Sequence, residues 1–146
     1  MSTHAQLAYR EAELLQAEGL KIVELLYEAA IDAIDAARQA LAKGDIAART
    51  QAINRAYDIL AELLFGLNQE AGGEIARRLA ALYVYIQGLL LRAQAEQSES
   101  PLLEARSLLV TLLPAWRQAN QPIVATPPQE DLPVNELIGA RVDCVG

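Results

Sequence analysis

The side chains that most often perform acid–base or metal chemistry are scarce in this sequence. The only histidine is His4, in an N-terminal segment where little would hold it in place, so no hydrolytic triad, Glu-x-x-His di-metal site or zinc site can be built. No Lys-Ser or Lys-Thr follows Gly72-Gly73, as a phosphate loop would require. The carboxylates have the spacing of a solvated helix face, as in Glu11, Glu13, Glu24, Glu28, Asp32 and Asp35. We expect no catalytic residue, no metal, no cofactor and no enzyme activity.

Charge and hydropathy narrow the class of partner. Twelve Lys and Arg residues against nineteen Asp and Glu residues give a net charge of -7, which repels phosphate backbones and predicts no nucleic-acid binding. No window approaches the roughly 18 apolar residues of a membrane span, and no secretion signal is recognisable. The single cysteine, Cys144, cannot form an internal disulfide and is expected to be a free thiol without function. These features predict a cytosolic protein without membrane insertion.

The elements that must position any site are helical. Apolar residues recur at helical spacing throughout residues 20–119, which predicts an all-α fold, an antiparallel four-helix bundle. Gly44-Asp45 is expected to end the first helix and cap the second, and Gly72-Gly73 to end the second. Ser100 is expected to cap the fourth helix, with Pro101 in its first turn.

Two segments flank the predicted bundle. Residues 1–19 are weakly amphipathic and are predicted to form a short N-terminal helical cap, released from the first bundle helix by Gly19. Four prolines fall within a few residues after Asn120, so residues 120–146 are predicted to be an extended, Pro-rich, disordered tail. The alternative for the tail is that its last part, residues 134–145, docks back on the bundle.

Several apolar runs do not fit on one helix stripe. In three such runs each residue advances by about 100°, so three in a row cannot all face one core: Leu63-Leu64-Phe65, Leu89-Leu90-Leu91 and Leu108-Leu109-Val110. Aromatic residues also gather around the double glycine, at Tyr57, Phe65, Tyr83 and Tyr85. One interpretation is a broad core with ordinary exposed leucines. The other is a groove for an amphipathic partner helix on helices two, three and four.

The order of these elements resembles the flagellar secretion chaperone family FliS. Its Leu-Tyr-(Asp/Glu)-x-Ala-Ile motif is matched by residues 26–31, and its Gly-Asp helix break by Gly44-Asp45. Its Ala-x-Asp-Ile-(Ile/Leu)-x-Glu-Leu motif is matched by residues 56–63, its Gly-Gly-Glu-Ile-Ala by residues 72–76, and its Leu-Tyr-x-Tyr by residues 82–85. Ala115-Trp116 matches a further element. The family usually begins its first helix with Ser-Pro or Thr-Pro, but this chain has Glu18-Gly19 at that position. The N-terminal segment could therefore continue into the first helix.

The resemblance implies a cytosolic, non-catalytic chaperone. Its client would be the disordered C-terminal segment of flagellin, held so that it cannot polymerise before export. Tyr9 matches the aromatic residue of the family's N-terminal segment, which covers part of the groove when no client is bound. The alternative is that Tyr9 simply closes one end of the core.

Combining the groove with the resemblance, we expect flagellin to contact eight residues. They are Tyr9, Tyr57, Leu60, Leu64, Phe65, Tyr83, Ile86 and Leu90. The alternative for each is a position in the core. A second hypothesis for the whole chain is a non-catalytic helical adaptor or regulator of flagellar assembly, which self-associates or binds another flagellar protein through the same surface.

Overall fold

The computed structural model describes residues 2–120, and this part of the chain is helical, with no strand. The helices are α1 (Ser2–Lys43), α2 (Ile46–Phe65), α3 (Gln69–Glu96) and α4 (Ser100–Ala119). The predicted all-α fold is therefore confirmed. Beyond Asn120, the predicted tail and Cys144 lie outside the described residues.

Each helix packs against two neighbours. Helix α1 contacts α2 and α4, and α3 contacts the same two helices from the other side. Because the connections are only a few residues long, consecutive helices must run in opposite directions. The core between them is built mainly from small and branched aliphatic side chains, with Tyr27, Tyr83 and Trp116 at one end. No helix within residues 2–120 is long and apolar enough to cross a membrane.

The break between α1 and α2 follows the predicted chemistry. Gly44 has a φ of 71°, a left-handed conformation that glycine adopts without a steric penalty, and it ends α1. The Asp45 carboxylate then accepts a hydrogen bond from the Ala48 amide at 3.1 Å and caps α2. The predicted role of Gly44-Asp45 is confirmed.

The double glycine does not end the second helix, contrary to the prediction. Helix α2 ends at Phe65, and Gly66 is its C-cap. Asn68 then starts α3, because its side-chain oxygen accepts hydrogen bonds from the main-chain amides of Glu70 and Ala71. Gly73 lies inside α3, where a φ of 55° and a ψ of -132° break the helix after its first turn. The asparagine cap acts earlier in the chain than the glycines, so the break between α2 and α3 lies earlier than predicted.

The start of α4 also differs from the prediction by one residue. Ser100 is the first helical residue, and Glu99 holds the N-cap position without a side-chain hydrogen bond to the helix. Ser98 accepts a bond from the Ser100 amide instead, at 3.4 Å. Pro101 lies in the first turn as predicted, where its missing N–H costs nothing.

The N-terminal segment continues into α1 instead of forming a separate cap. Every described side chain between Thr3 and Glu18 is exposed, and Gly19 and Leu20 are the first buried residues. Tyr9 is 66 % exposed, so it does not close the end of the core. A glycine in a helix costs about 1 kcal/mol but does not end it as a proline would. Glu18-Gly19 therefore allows the helix to run through.

Candidate partner-binding site

An apolar cavity lies at the end of the bundle where α2 and α4 finish and the packed part of α1 begins. Its volume is about 350 Å³, which is within the usual range for ligand pockets. All four helices and the α2–α3 connection contribute to its lining: Val23, Leu26, Ala61, Glu62, Leu63, Phe65, Gly66, Leu67, Tyr83 and Trp116. Glu62 is the one charged side chain in this set. The lining therefore favours an apolar occupant.

Three aromatic rings support the inner wall of the cavity. Tyr83 and Trp116 line it, and Tyr27 packs against both, with ring centroids 6.1 Å from Tyr83 and 5.8 Å from Trp116. The Tyr27–Tyr83 pair is edge-to-face, which is a favourable aromatic geometry. The two tyrosine hydroxyls share a hydrogen bond of 2.6 Å, so neither polar tip is buried alone. This wall joins α1, α3 and α4 and is held by both packing and hydrogen bonding.

Burial of the two tyrosines changes their acidity. Loss of hydration raises the pKa of Tyr27 to about 12, although the hydrogen bond from Tyr83 opposes part of this shift. Burial also raises the pKa of Tyr83 well above its usual value, and the proximity of Tyr27 adds to the rise. Both hydroxyls therefore stay neutral in the folded protein under conditions that begin to ionise them in an unfolded chain.

We predict that this pair makes the bundle sensitive to alkaline pH. The folded-state pKa values lie above the unfolded value of about 10, so the pair's contribution is fully present below pH 10 and is lost as pH rises towards about 12. Between about pH 10 and about pH 12, the free energy of unfolding should fall by about 1 kcal/mol per pH unit for each tyrosine hydroxyl that stays protonated in the folded protein. Urea unfolding followed by circular dichroism at a series of alkaline pH values measures this slope.

The matched control for this slope is the double variant Tyr27→Phe with Tyr83→Phe. It removes both hydroxyls together, so no buried polar group is left without a partner, and stability near neutral pH should change little. Its unfolding free energy should decline much less between about pH 10 and about pH 12. An identical decline in both proteins would show that other groups cause the alkaline sensitivity.

Phe65 stands at the rim of the cavity. It is the last residue of α2 and lines the cavity, yet its side chain is 91 % exposed. A large aromatic ring left in water beside an apolar cavity is a common mark of a surface that binds a partner. Phe65 and the cavity together therefore form the candidate partner-binding site, and we call this pair the apical site.

Hydrogen bonds and an ion pair hold α4 against α1 beside the apical site. The Asn120 amide donates to the main-chain oxygen of Leu20 at 3.1 Å and to the Glu24 carboxylate at 2.9 Å. The bond from Asn120, followed by that from Lys21, lowers the pKa of Glu24. One turn further along α1, Glu28 accepts a hydrogen bond from the Arg117 guanidinium at 3.0 Å. These contacts keep Trp116 in position against α1.

The eight residues expected to contact a partner fall into three groups. Phe65 and Tyr83 line the apical site. Tyr57 and Leu64 are half-buried and pack against the core, and Tyr9 lies on the exposed part of α1. The remaining three, Leu60, Ile86 and Leu90, are fully buried in the core. Partner contact stays a prediction for all eight, and for the last three it would require the helices to separate.

Several residues of the apical site were not predicted from the sequence. Val23 and Leu26 of α1, Leu67 of the α2–α3 connection and Trp116 of α4 all line it. The apolar flanks predicted a partner surface on helices two, three and four only. They did not indicate that the start of the packed part of α1 lies beside the end of α2. Two features of the sequence could have indicated these residues: Trp116, which is the only tryptophan of the chain, and the Leu26-Tyr27 motif.

A helical body with an apolar cavity and an exposed aromatic ring at its rim has the features of a helical protein-binding domain.

Within that class, the chain belongs to the FliS family: the family model "Flagellar protein FliS" matches residues 1–122. It is 35 % identical to the flagellar secretion chaperone FliS of Salmonella typhimurium over 109 residues, which cover 74 % of this chain and 81 % of that protein. It is 34 % identical to FliS of Campylobacter jejuni over 100 residues, 68 % of this chain and 78 % of that protein. The Bacillus subtilis FliS is 26 % identical over 114 residues, 78 % of this chain and 84 % of that protein. The resemblance drawn from the motifs is confirmed.

Proposed function

We propose that this chain is a non-catalytic flagellar export chaperone, which binds the C-terminal segment of flagellin in the cytosol and prevents its polymerisation before export. The apical site carries this proposal, because it offers an apolar cavity and an exposed ring to an apolar segment. The chaperone role is supported by the names of the relatives in Salmonella typhimurium and Campylobacter jejuni, which are flagellar secretion chaperones.

The proposed binding step is the folding of a disordered segment on the chaperone. An apolar side chain of flagellin enters the cavity between Phe65 and Trp116, and its burial is worth about 1.5 to 3 kcal/mol. Ordering the segment costs at least about 2 to 5 kcal/mol, so one anchor is not enough. A long contact is needed, burying more than about 2,000 Å² and still giving only moderate affinity.

Further contacts are available on both sides of the apical site. Tyr57 and Leu64 on α2 are only half-buried, and each lies within about one helical turn of a residue that lines the cavity. Leu7, Tyr9 and Leu14 expose apolar surface on the N-terminal part of α1. An amphipathic segment anchored in the cavity would contact one or both of these surfaces, and its polar face would remain in water.

Titration with a peptide from the C-terminal end of the same organism's flagellin tests this function. We expect stoichiometric binding by calorimetry and a gain of helix by circular dichroism, because the peptide orders on binding. A peptide of the same composition in scrambled order is the matched control and should give neither signal. If the native peptide produces no heat and no added helix at tens of micromolar, the proposal is wrong.

The adaptor hypothesis is favoured by a separate observation. Val84 and Leu91 on α3 are exposed and lie two turns apart on one face, as do Leu103 and Val110 on α4. Such stripes can bind a second helical protein or a second copy of the chain. Light scattering separates the two functions: a concentration-dependent dimer that persists when flagellin peptide is added favours the adaptor, and a monomer that binds the peptide favours the chaperone.

A further inference from the structure

We propose that the cavity of the apical site is also a docking site for this chain's own segment 122–124, Pro122-Ile123-Val124. The segment would compete with an external partner for the same cavity. The proposal shares the cavity with the proposed function, but it does not require that the partner be flagellin. Two observations carry it: the position of Asn120 and the sequence that follows.

Helix α4 ends beside the cavity. Trp116 lines the cavity and lies one helical turn before Asn120, about 6 Å along the helix axis. Hydrogen bonds from the Asn120 side chain to Leu20 and Glu24 fix the end of α4 against α1, next to the lining residue Val23. Each extended residue spans about 3.3 Å, so a few residues after Asn120 are enough to reach back to the cavity.

Apolar side chains follow Asn120 within a few residues. Ile123 and Val124 are the first branched aliphatic residues after Asn120, and Pro122 before them cannot continue a helix. A tether of this length gives an effective concentration on the order of millimolar, so a contact too weak to form between separate molecules can be populated within one chain. Leu137 and Ile138 are similar in chemistry but are joined by a much longer tether, which makes their docking less favourable.

Segment 122–124 is also favoured over the N-terminal segment. The described side chains between Thr3 and Glu18 are exposed, and none of them lines the cavity. The match to the FliS family model ends at residue 122, so Ile123 and Val124 lie outside the part of the chain that the family model matches. A competitor at this position would weaken the apparent affinity of this chain for its partner in inverse proportion to the fraction of cavities that it leaves free.

Contact between the segment and Trp116 tests the proposal, because Trp116 is the only tryptophan. The full-length protein with Ala125→Cys and Cys144→Ser is labelled with bimane, a small fluorophore that tryptophan quenches at contact distance. We expect most of the bimane fluorescence to be lost in the folded protein, at every protein concentration, since the contact is within one chain. It should return in urea, and in folded protein that also carries Ile123→Ser and Val124→Ser.

Matched controls use the same fluorophore without any flagellin. A label on the native Cys144 should stay bright, and Leu137→Ser with Ile138→Ser should leave the quenching at position 125 unchanged. Equal brightness at position 125 with and without the Ile123 and Val124 substitutions would overturn the proposal. Quenching of a label at Tyr9→Cys instead would overturn it as well, by assigning the cavity to the N-terminal segment. Neither result would affect the proposed function, which the peptide titration tests separately.

Discussion

Replacing Phe65 by alanine is expected to weaken binding of the flagellin C-terminal peptide about 30-fold and to leave the stability of the bundle unchanged. The ring is 91 % exposed, so its removal takes little area out of the core and should change the free energy of unfolding by less than about 0.5 kcal/mol. In the complex the ring would be buried against the peptide, and this burial is worth about 2 kcal/mol, or about 30-fold in affinity. Peptide calorimetry and urea unfolding measure the two quantities.

The matched control is Leu91→Ala. Leu91 is also a large exposed apolar residue, 55 % exposed, but it lies on α3 and does not line the apical site. Its truncation should leave both peptide affinity and stability unchanged. If Phe65→Ala and Leu91→Ala bind the peptide equally well, the rim of the cavity does not contact flagellin.

The inner wall of the apical site explains how a cavity can persist in a small helical protein. Apolar cavities normally cost stability, because their lining loses packing contacts on one side. Here Tyr83 and Trp116 are held from behind by Tyr27, and the end of α4 is fixed to α1 by Asn120. A lining held by these contacts has less freedom to collapse into the space. The same contacts preorganise the site, which lowers the entropic cost of binding.

Local sequence signals were sufficient for most of the fold. Helical periodicity predicted the helices, and Gly44-Asp45 predicted their first break, because each of these features acts within a few residues. The second break was misplaced because Asn68 was overlooked as a cap and Gly72-Gly73 was given its role. The N-terminal segment was separated at Gly19, where the helix tolerates a glycine and continues.

The apical site was predicted only in part. Phe65 and Tyr83 were found because apolar and aromatic residues exceed what one helix stripe can bury. Leu26 and Trp116 were missed because their proximity to the end of α2 depends on how four helices align at one end of the bundle, which no local pattern encodes. A run of three apolar residues also does not show which one faces inward, so Leu90 was assigned to a groove although it is fully buried.

Leu60→Ala is expected to destabilise the bundle by about 3 kcal/mol. Leu60 is fully buried in the core, and removing its side chain loses transfer free energy and leaves a cavity, which together cost about 2 to 5 kcal/mol in well-packed proteins. This is a large share of the total stability of about 5 to 15 kcal/mol that a domain of this size has. The midpoint of thermal unfolding should fall by roughly 10 °C. Circular dichroism during urea and thermal unfolding measures both changes.

The same variant distinguishes a core role of Leu60 from partner contact. If Leu60 only supports the core, Leu60→Ala should bind the flagellin peptide with nearly wild-type affinity below its unfolding transition, because Phe65 and the cavity are intact. Leu91→Ala is the stability control, and an exposed truncation of this kind should cost less than about 0.5 kcal/mol. A Leu60→Ala protein that loses affinity as well as stability would mean that α2 turns or separates on binding and exposes Leu60 to flagellin.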